Sequence, residues 1–432
     1  MKTRGSQVFF VCGVFACAAL SFACSGSESS NASGGAPAVQ GGAMSQGGAS
    51  NGGVISRGGS TATGGATTAG GSMSSGGSMS SGGTTSAGSA NGGASMGGTA
   101  TSQGGSSSGG APSAGSGGGG TTSPFGFACP EASTLTGSPL PSGLTASQIA
   151  NSPPKDMVNQ YDFMNIEGPV WVGDSLYYSE VKATDSSARI FKLTGESSSV
   201  FIENSGSNGM AVDKDGNLVT ANQGVGGIVR FALPSKTRTT LVGTYDNKRF
   251  NCPNDLVYRS DGTLYFTDPD FQNTARPQGA TRTYQLPPNA TTATVIATDY
   301  GNNPNGVTLS LDEKTLFVGG PGGVKQYAID ASGKVADMGS AFGTALSSNS
   351  DGMTLDCAGN LYVAIPNTNT IVVVDKTGQP VANSPLKVNG TNAVTNVAFG
   401  GEDRKTLFIT SQGQGGSQGV YKAKLNFPGR PY

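Results

Sequence analysis

Six polar residues recur at a regular spacing along the chain and carry most of the chemistry that the sequence offers. Each stands nine to eleven residues before a leucine of a short apolar segment, and five of them are followed directly by Gly or Asp. The even spacing indicates equivalent positions in a repeated unit. In chain order the residues are Glu167, Asn208, Asn254, Asn305, Asp351 and Asn396.

Two carboxylates and four carboxamides would give a hard, all-oxygen shell if they met at one point. Such a shell suits Ca²⁺, with Mg²⁺, Mn²⁺ or Zn²⁺ as alternatives. Glu167 and Asp351 would together neutralise a divalent ion, whereas two unpaired carboxylates in a crowded channel would repel each other. The structural alternative is that these residues only form turns that lead into strands.

The elements that must position these residues are short strands. The marked leucines, from Leu176 to Leu407, lie 42 to 52 residues apart, and an apolar segment precedes each one. Residues 210–212 and 217–219, for example, flank an Asp-Gly-type turn, which is typical of a hairpin. About four strands per unit predict an all-β fold, a six-bladed β-propeller over residues 125–432. Equivalent positions of its innermost strands would point at one axis. A β-sandwich array is the structural alternative.

Residues 250–256 (Phe-Asn-Cys-Pro-Asn-Asp-Leu) and 260–269 resemble the signature of the gluconolactonase, senescence-marker-protein and luciferin-regenerating-enzyme family. The segments that begin at Glu167, Asn305, Asp351 and Asn396 are similar to its other blocks, in the family's order. The resemblance covers about residues 166–428. It implies a six-bladed propeller with one catalytic divalent metal, most simply Ca²⁺.

The resemblance also implies roles for individual residues. Glu167, Asn305 and Asp351 would be metal ligands, and Asp351 would also be the proton acceptor. Asn254 would lie beside the metal, either as a ligand or as a substrate contact.

Asn208 and Arg249 are the remaining candidates for substrate binding. Arg249 would face an anionic substrate, and a solvated loop arginine is the alternative. Cys252 stands where related sequences often carry a small polar residue, which affects the expected substrate pocket rather than the metal.

The composition excludes several classes of function. The 432-residue chain has no His, so it lacks every His-based catalytic pair and every imidazole ligand. A net charge of -1 means that the chain has no excess of basic residues of the kind that binds nucleic acid. The resemblance implies a metal-dependent hydrolase of a lactone or related cyclic ester, and because the chain has no His, Asp351 is the expected base. The alternatives are a phosphotriesterase-like hydrolase and a non-catalytic surface binding propeller with a structural metal.

The N-terminal third predicts export. Lys2 and Arg4 precede an apolar segment that ends at Cys24, so residues 1–24 are typical of a lipoprotein-type signal peptide. Cys24 is the candidate lipidation site, Cys17 is a competing one, and ordinary cleavage into a secreted or periplasmic protein is the alternative. Residues 25–124 are mostly Gly, Ser, Ala and Thr, which predicts a disordered linker. We expect a cell-surface or outer-membrane lipoprotein, monomeric, that meets the membrane only through its anchor.

Three cysteines fall in the predicted propeller, Cys129, Cys252 and Cys357. An oxidising compartment favours one disulfide and one free thiol, and the sequence does not choose the pair.

Overall fold

Antiparallel strands make up nearly all of the regular structure in the computed structural model, which describes residues 127–155, 164–182, 188–273, 275–298 and 303–431. The helices that lie wholly within these ranges are single 3-10 turns at Ala132–Thr134, Thr344–Leu346 and Pro366–Thr368. The predicted all-β class is confirmed. The predicted signal segment, Cys17, Cys24 and the Gly/Ser-rich linker lie outside the described residues.

Most strands pair into antiparallel groups of four, which follow one another along the chain. The first two groups are β2–β5 (Met164–Val172, Ser175–Glu180, Arg189–Thr194, Ser197–Glu203) and β6–β9 (Ser207–Val212, Leu218–Asn222, Gly227–Ala232, Thr237–Val242). The next two are β12–β15 (Leu256–Tyr258, Leu264–Asp268, Arg282–Leu286, Thr294–Thr298) and β16–β19 (Val307–Leu309, Thr315–Gly320, Gly323–Ile329, Val335–Ala341).

The last groups are β20–β23 and β24–β26. Their strands are Met353–Leu355, Leu361–Ile365, Thr370–Val374 and Leu386–Val388, then Ala393–Gly400, Thr406–Gly413 and Gly419–Lys424. The fourth strand beside β26 is β1 (Thr145–Gln148), which comes from the N-terminal side of the chain. A small hairpin, β10 (Thr244–Tyr245) and β11 (Lys248–Arg249), lies between the second and third groups.

The first strands of the groups form a closed circuit. β2 contacts β6, β6 contacts β12, and the contacts continue through β16, β20 and β24 back to β2. Apolar clusters fill the space between successive groups in the same order: Tyr177 and Phe231 share one cluster, and Phe408 shares another with Tyr178. Because both faces of each sheet are covered, an inner strand such as β21 is buried at every position.

Glycines allow the first strands to approach one another at the end of the circuit where the recurring polar residues lie. A Cβ on Gly168 would collide with the backbone oxygen of Asn208, and one on Gly306 would collide with that of Asp351. A Cβ on Gly352 would overlap the carboxamide of Asn396. At these three positions the residue after the recurring polar residue is therefore Gly because a neighbouring backbone or side chain occupies the space that a Cβ would need.

The N-terminal and C-terminal parts of the described chain lie together at the end of the first strands that is opposite the recurring polar residues. Cys129 and Cys357 form a disulfide, with their Cα atoms 5.3 Å apart, whereas Cys252 is a buried thiol. Cys357 lies two residues after the end of β20, the strand that begins after Asp351, and its backbone N–H donates to Pro428 O at 2.8 Å. The Arg430 guanidinium donates to Glu313 at 2.8 Å. The C-terminal segment thus lies at the end of the circuit away from Asp351.

Across the described ranges, no helix has the length and apolar character that a membrane crossing requires.

The close approach at Gly306 predicts a specific stability difference. Gly306→Ala should lower the free energy of unfolding by about 1–3 kcal/mol, because its Cβ would also lie 2.7 Å from Gly352 Cα. Gly243→Ala is the matched control, since the nearest atom to its Cβ would be Thr240 Cγ2 at 3.5 Å. Urea denaturation of both variants measures the difference. Equal stability of the two variants would contradict the close approach.

Candidate functional site

The six recurring polar residues lie at equivalent places in the fold. Three of them lie within their strands next to a register irregularity of the ladder: Glu167 in β2, Asn208 in β6 and Asn396 in β24. The other three immediately precede β12, β16 and β20: Asn254, Asn305 and Asp351. All six therefore stand at the same end of the circuit of first strands. A bulge or a strand start bends the chain and redirects the side chain there.

Carboxamides partly oppose the effect of burial on the carboxylates of this ring. Asn305 lowers the pKa of Asp351, and Asn396 lowers the pKa of both Glu167 and Asp255. The Asn396 Oδ1 accepts the Val397 N–H at 2.8 Å. That oxygen therefore already has a donor, unlike the buried Oδ1 of Asn305.

Asp255 is a member of the ring that the sequence analysis did not single out. It occupies the position that is Gly in four other groups, and it is only 6 % exposed. Its carboxylate accepts the Leu256 N–H at 2.9 Å and the Val307 N–H at 3.3 Å, so it joins two adjacent first strands. The signal that could have identified it is a charged residue at a position reserved for glycine by close packing.

Burial dominates the electrostatics of the ring. Burial raises the pKa of Glu167 well above its usual range, and the nearby Asp351 and Asp255 raise it further. Burial and the charge of Asp255 likewise raise the pKa of Asp351. Burial raises the pKa of Asp255 to about 7, against the opposing effect of its hydrogen bonds. Three buried acids, two of them also destabilised by a neighbouring carboxylate, would be stabilised in their ionised forms by a positive charge.

Buried oxygens of the ring that have no donor also favour a bound cation. The Oδ1 atoms of Asn208 and Asn305 are buried and have no donor among the described residues. None of the three carboxylates forms an ion pair with a described Lys or Arg. Buried oxygens without donors or cations are costly, and a hard cation satisfies both needs. The residues present therefore fit a divalent ion.

The donor set must include carboxamides. Within the part of the chain that the structure describes, no group of three or more His, Cys, Asp or Glu side chains is arranged to hold a metal ion by itself. A site here would combine two carboxylates with amide oxygens, as the sequence predicted for Glu167, Asp351 and Asn305. Asn254 is only 7 % exposed, and its backbone is fixed by bonds to Gly209 and Thr267.

Arg249 is attached to loop backbone. Its guanidinium donates to Gln223 O at 2.9 Å and to Phe250 O at 3.3 Å, and it packs against Gly226. These bonds join the loops of the second and third groups. The interpretation of Arg249 as a contact for an anionic substrate stays a prediction, as does that of Asn208, which is 1 % exposed.

A buried carboxylate fixes the segment that carries Cys252. Asp268 accepts the Asn251 N–H at 3.0 Å and the Cys252 N–H at 2.9 Å. The Asn251 side chain in turn donates to Ala280 O at 2.9 Å. Cys252 is thereby held in the interior, two residues before Asn254.

Comparison with known proteins agrees with this geometry. The family described as "SMP-30/Gluconolactonase/LRE-like region" matches residues 166–413, which include all six recurring polar residues and Asp255. The chain belongs to this family. A gluconolactonase of Zymomonas mobilis is 29% identical over 275 residues, covering 57% of this chain and 75% of that relative.

Solved structures share the fold of this family. The gluconolactonase XC5397 of Xanthomonas campestris is 25% identical with a TM-score of 0.52, covering 66% of this chain and 97% of its own. The calcium-binding protein regucalcin of Agrobacterium tumefaciens is 16% identical with a TM-score of 0.52, covering 63% of this chain and 94% of its own. The family resemblance predicted from the sequence is confirmed, and the fold is propeller-like.

The raised acid pKa values predict an unusual pH dependence for the metal-free protein. Asp255 binds its proton more tightly in the folded state, with a pKa of about 7 against an ordinary 3.8. The folded state therefore holds more protons than the unfolded state between these values, so the free energy of unfolding falls as the pH rises. Asp255 alone contributes at most roughly 4 kcal/mol to this fall.

Urea denaturation in chelator from pH 4.5 to 8 measures this slope. Asp255→Asn should flatten it only in part, because Asp268 also has a pKa raised by burial to about 7. A metal-free protein whose stability rises steadily over that range would contradict the assignment.

Proposed function

We propose that this protein is a metal-dependent hydrolase of a lactone or related cyclic ester. The observation that carries the proposal is the convergence of buried carboxylates and donor-free carboxamide oxygens without a cationic side chain. The gluconolactonase relative and the gluconolactonase structure of 25% identity support lactone hydrolysis as the class of activity.

The proposed ligands are oxygens of Glu167, Asn305 and Asp351, with Asn254 as a fourth ligand or a substrate contact. The metal we propose is Ca²⁺, since the donor set is all oxygen and the fold is shared with a calcium-binding protein. A bound divalent ion would polarise the ester carbonyl and neutralise the ring carboxylates.

Asp351 is the proposed base. Its carboxylate takes a proton from the attacking water as the oxygen of that water adds to the lactone carbonyl carbon. The ring C–O bond then breaks, and the same proton passes to the leaving ring oxygen, so the product is an open-chain hydroxy acid. The neighbouring Asn305 lowers the pKa of Asp351 and so favours the ionised form that a base needs.

The proposed architecture is a six-bladed β-propeller, in which each four-stranded group is one blade. The circuit from β2 to β24 and the pairing of β1 with β26 support closure. We further propose that residues 1–24 are a lipoprotein signal, that Cys24 is lipidated, and that residues 25–124 are a disordered linker that presents a monomeric residue 125–432 domain at the cell surface. The apolar N-terminal segment and the Gly/Ser-rich composition support this arrangement.

Lactone hydrolysis is tested with the purified protein and δ-gluconolactone. Activity is expected with Ca²⁺ and should disappear in chelator. Asp351→Asn should lower kcat by about 10²- to 10⁴-fold, the usual contribution of a general base. Asp330→Asn, which alters an exposed turn carboxylate, is the matched control and should retain activity.

Three results would separate the alternatives. A folded, calcium-loaded protein that is inert on lactones but cleaves phosphotriesters would replace the substrate class. Inertness on both would favour a binding propeller. Full activity of Asp351→Asn would remove Asp351 from the mechanism.

A further inference from the structure

Two exposed apolar side chains lie at the end of the circuit where the recurring polar residues stand. Among the described residues, the exposed large apolar side chains are Val225 at 38 %, Phe271 at 40 % and Met338 at 50 %. Val225 lies in the loop between β7 and β8, and Phe271 lies in the loop between β13 and β14. Each loop follows a second strand, which runs antiparallel to the first strand of its group and therefore ends beside the ring. Met338 lies instead in β19, the fourth strand of its group.

The loop that carries Val225 is bonded to the segment that leads to Asn208. The backbone N–H of Gln223 donates to Gly206 O at 2.8 Å, and Gly206 is two residues before Asn208. The Val225 N–H donates to Asn222 Oδ1 at 3.1 Å. These bonds hold the Val225 backbone at the ring end of the second group.

The loop that carries Phe271 is bonded to the segments that lead to two further recurring residues. The Asp270 N–H donates to Asn303 Oδ1 at 2.9 Å, in the segment that leads to β16. The Asn273 side chain donates to Asn251 O at 3.2 Å, in the segment that leads to β12. The recurring residues immediately before β12 and β16 belong to the ring, so the Phe271 backbone lies beside that part of it.

A hydrogen bond joins the two loops. The Gln223 side chain donates to Gln272 Oε1 at 2.8 Å, and Val225 and Phe271 are each within two residues of this bond. Phe271 stacks on no aromatic ring of the described residues. A single exposed apolar residue needs no explanation, but two on joined loops beside a site are typical of a binding surface.

The arginines of these loops already have acceptors. The Arg249 guanidinium donates to Gln223 O and Phe250 O, and Arg276 forms an ion pair with Asp270. This favours a neutral substituent over an anionic one on this side of the ring.

We infer that Val225 and Phe271 form an apolar rim that binds the part of the substrate beyond the reacting ester, and that the substrate is a lactone with a hydrocarbon substituent. This inference rests on the proposed function and concerns its selectivity. Each methylene group of the substituent that is fully buried against the rim should raise kcat/KM by up to about fourfold.

Two δ-lactones with the same reacting ring test the inference, because δ-nonalactone carries a butyl chain that δ-valerolactone lacks. In the presence of Ca²⁺, the wild-type kcat/KM should be about 10- to 100-fold higher for δ-nonalactone, since the chain is buried in part. In Phe271→Ala this ratio should fall by about 5- to 20-fold. The kcat/KM for δ-valerolactone should stay within about twofold, because the rim lies outside the reacting ester.

Two further variants are the controls. Met338→Ala removes an exposed apolar side chain from the fourth strand of another group, and it should leave the ratio unchanged. Phe271→Leu keeps an apolar side chain at the rim and should retain most of the preference for δ-nonalactone.

The other outcomes separate the inference from the proposed function. A wild type that hydrolyses both lactones with equal kcat/KM would overturn the inference and leave lactone hydrolysis intact. An unchanged ratio in Phe271→Ala, or an equal loss in Met338→Ala, would do the same. A wild type that is inert on both lactones would overturn the proposed function and the inference together. If Phe271→Ala fails to fold, Val225→Ser should lower the ratio on its own, and an unchanged ratio there would contradict the rim.

Discussion

The structure depends on one electrostatic constraint: three carboxylates and at least two donor-free carboxamide oxygens are buried at one end of a circuit of strands. Burial raises the pKa of Glu167, Asp255 and Asp351, and repulsion from neighbouring carboxylates raises those of Glu167 and Asp351 further. Burying such oxygens without compensation is costly, and no described Lys or Arg forms an ion pair with these three acids. A cation bound from solution would offset this cost, because the buried oxygens would become its ligands.

The fold supplies the constraint through its backbone. Successive first strands approach one another so closely near the recurring polar residues that Gly168, Gly306 and Gly352 have no room for a side chain. The residue before each glycine is thereby brought toward the centre. The groups are locked around this centre by apolar clusters between the sheets and, at the opposite end, by the Cys129–Cys357 disulfide.

The sequence predicted the parts of this arrangement that repeat. The spacing of the leucines predicted the all-β fold, and the residues from Glu167 to Asn396 could be aligned because each precedes the same element. The sequence did not separate their roles, since Asn305 keeps a donor-free oxygen whereas Asn396 uses its oxygen on the Val397 N–H. That difference arises from local backbone geometry rather than from residue type.

Features that occur once were harder to predict. Asp255 was missed because the repeat singles out the residue before it, and its burial follows from close packing against Gly209. The pairing of Cys129 with Cys357 joins residues 228 apart, and spacing alone left all pairings open. A substrate contact of Arg249 stays a prediction, and its bonds to Gln223 O and Phe250 O depend on how two loops meet, which the sequence does not show.

Anomalous diffraction from crystals grown with Ca²⁺ and then exchanged into Mn²⁺ would show whether the ring binds a cation. We expect one strong peak, about 2.0–2.6 Å from oxygens of Glu167, Asn305 and Asp351. A fully occupied peak elsewhere, or an intact protein whose ring binds no metal at millimolar Mn²⁺, would contradict this expectation.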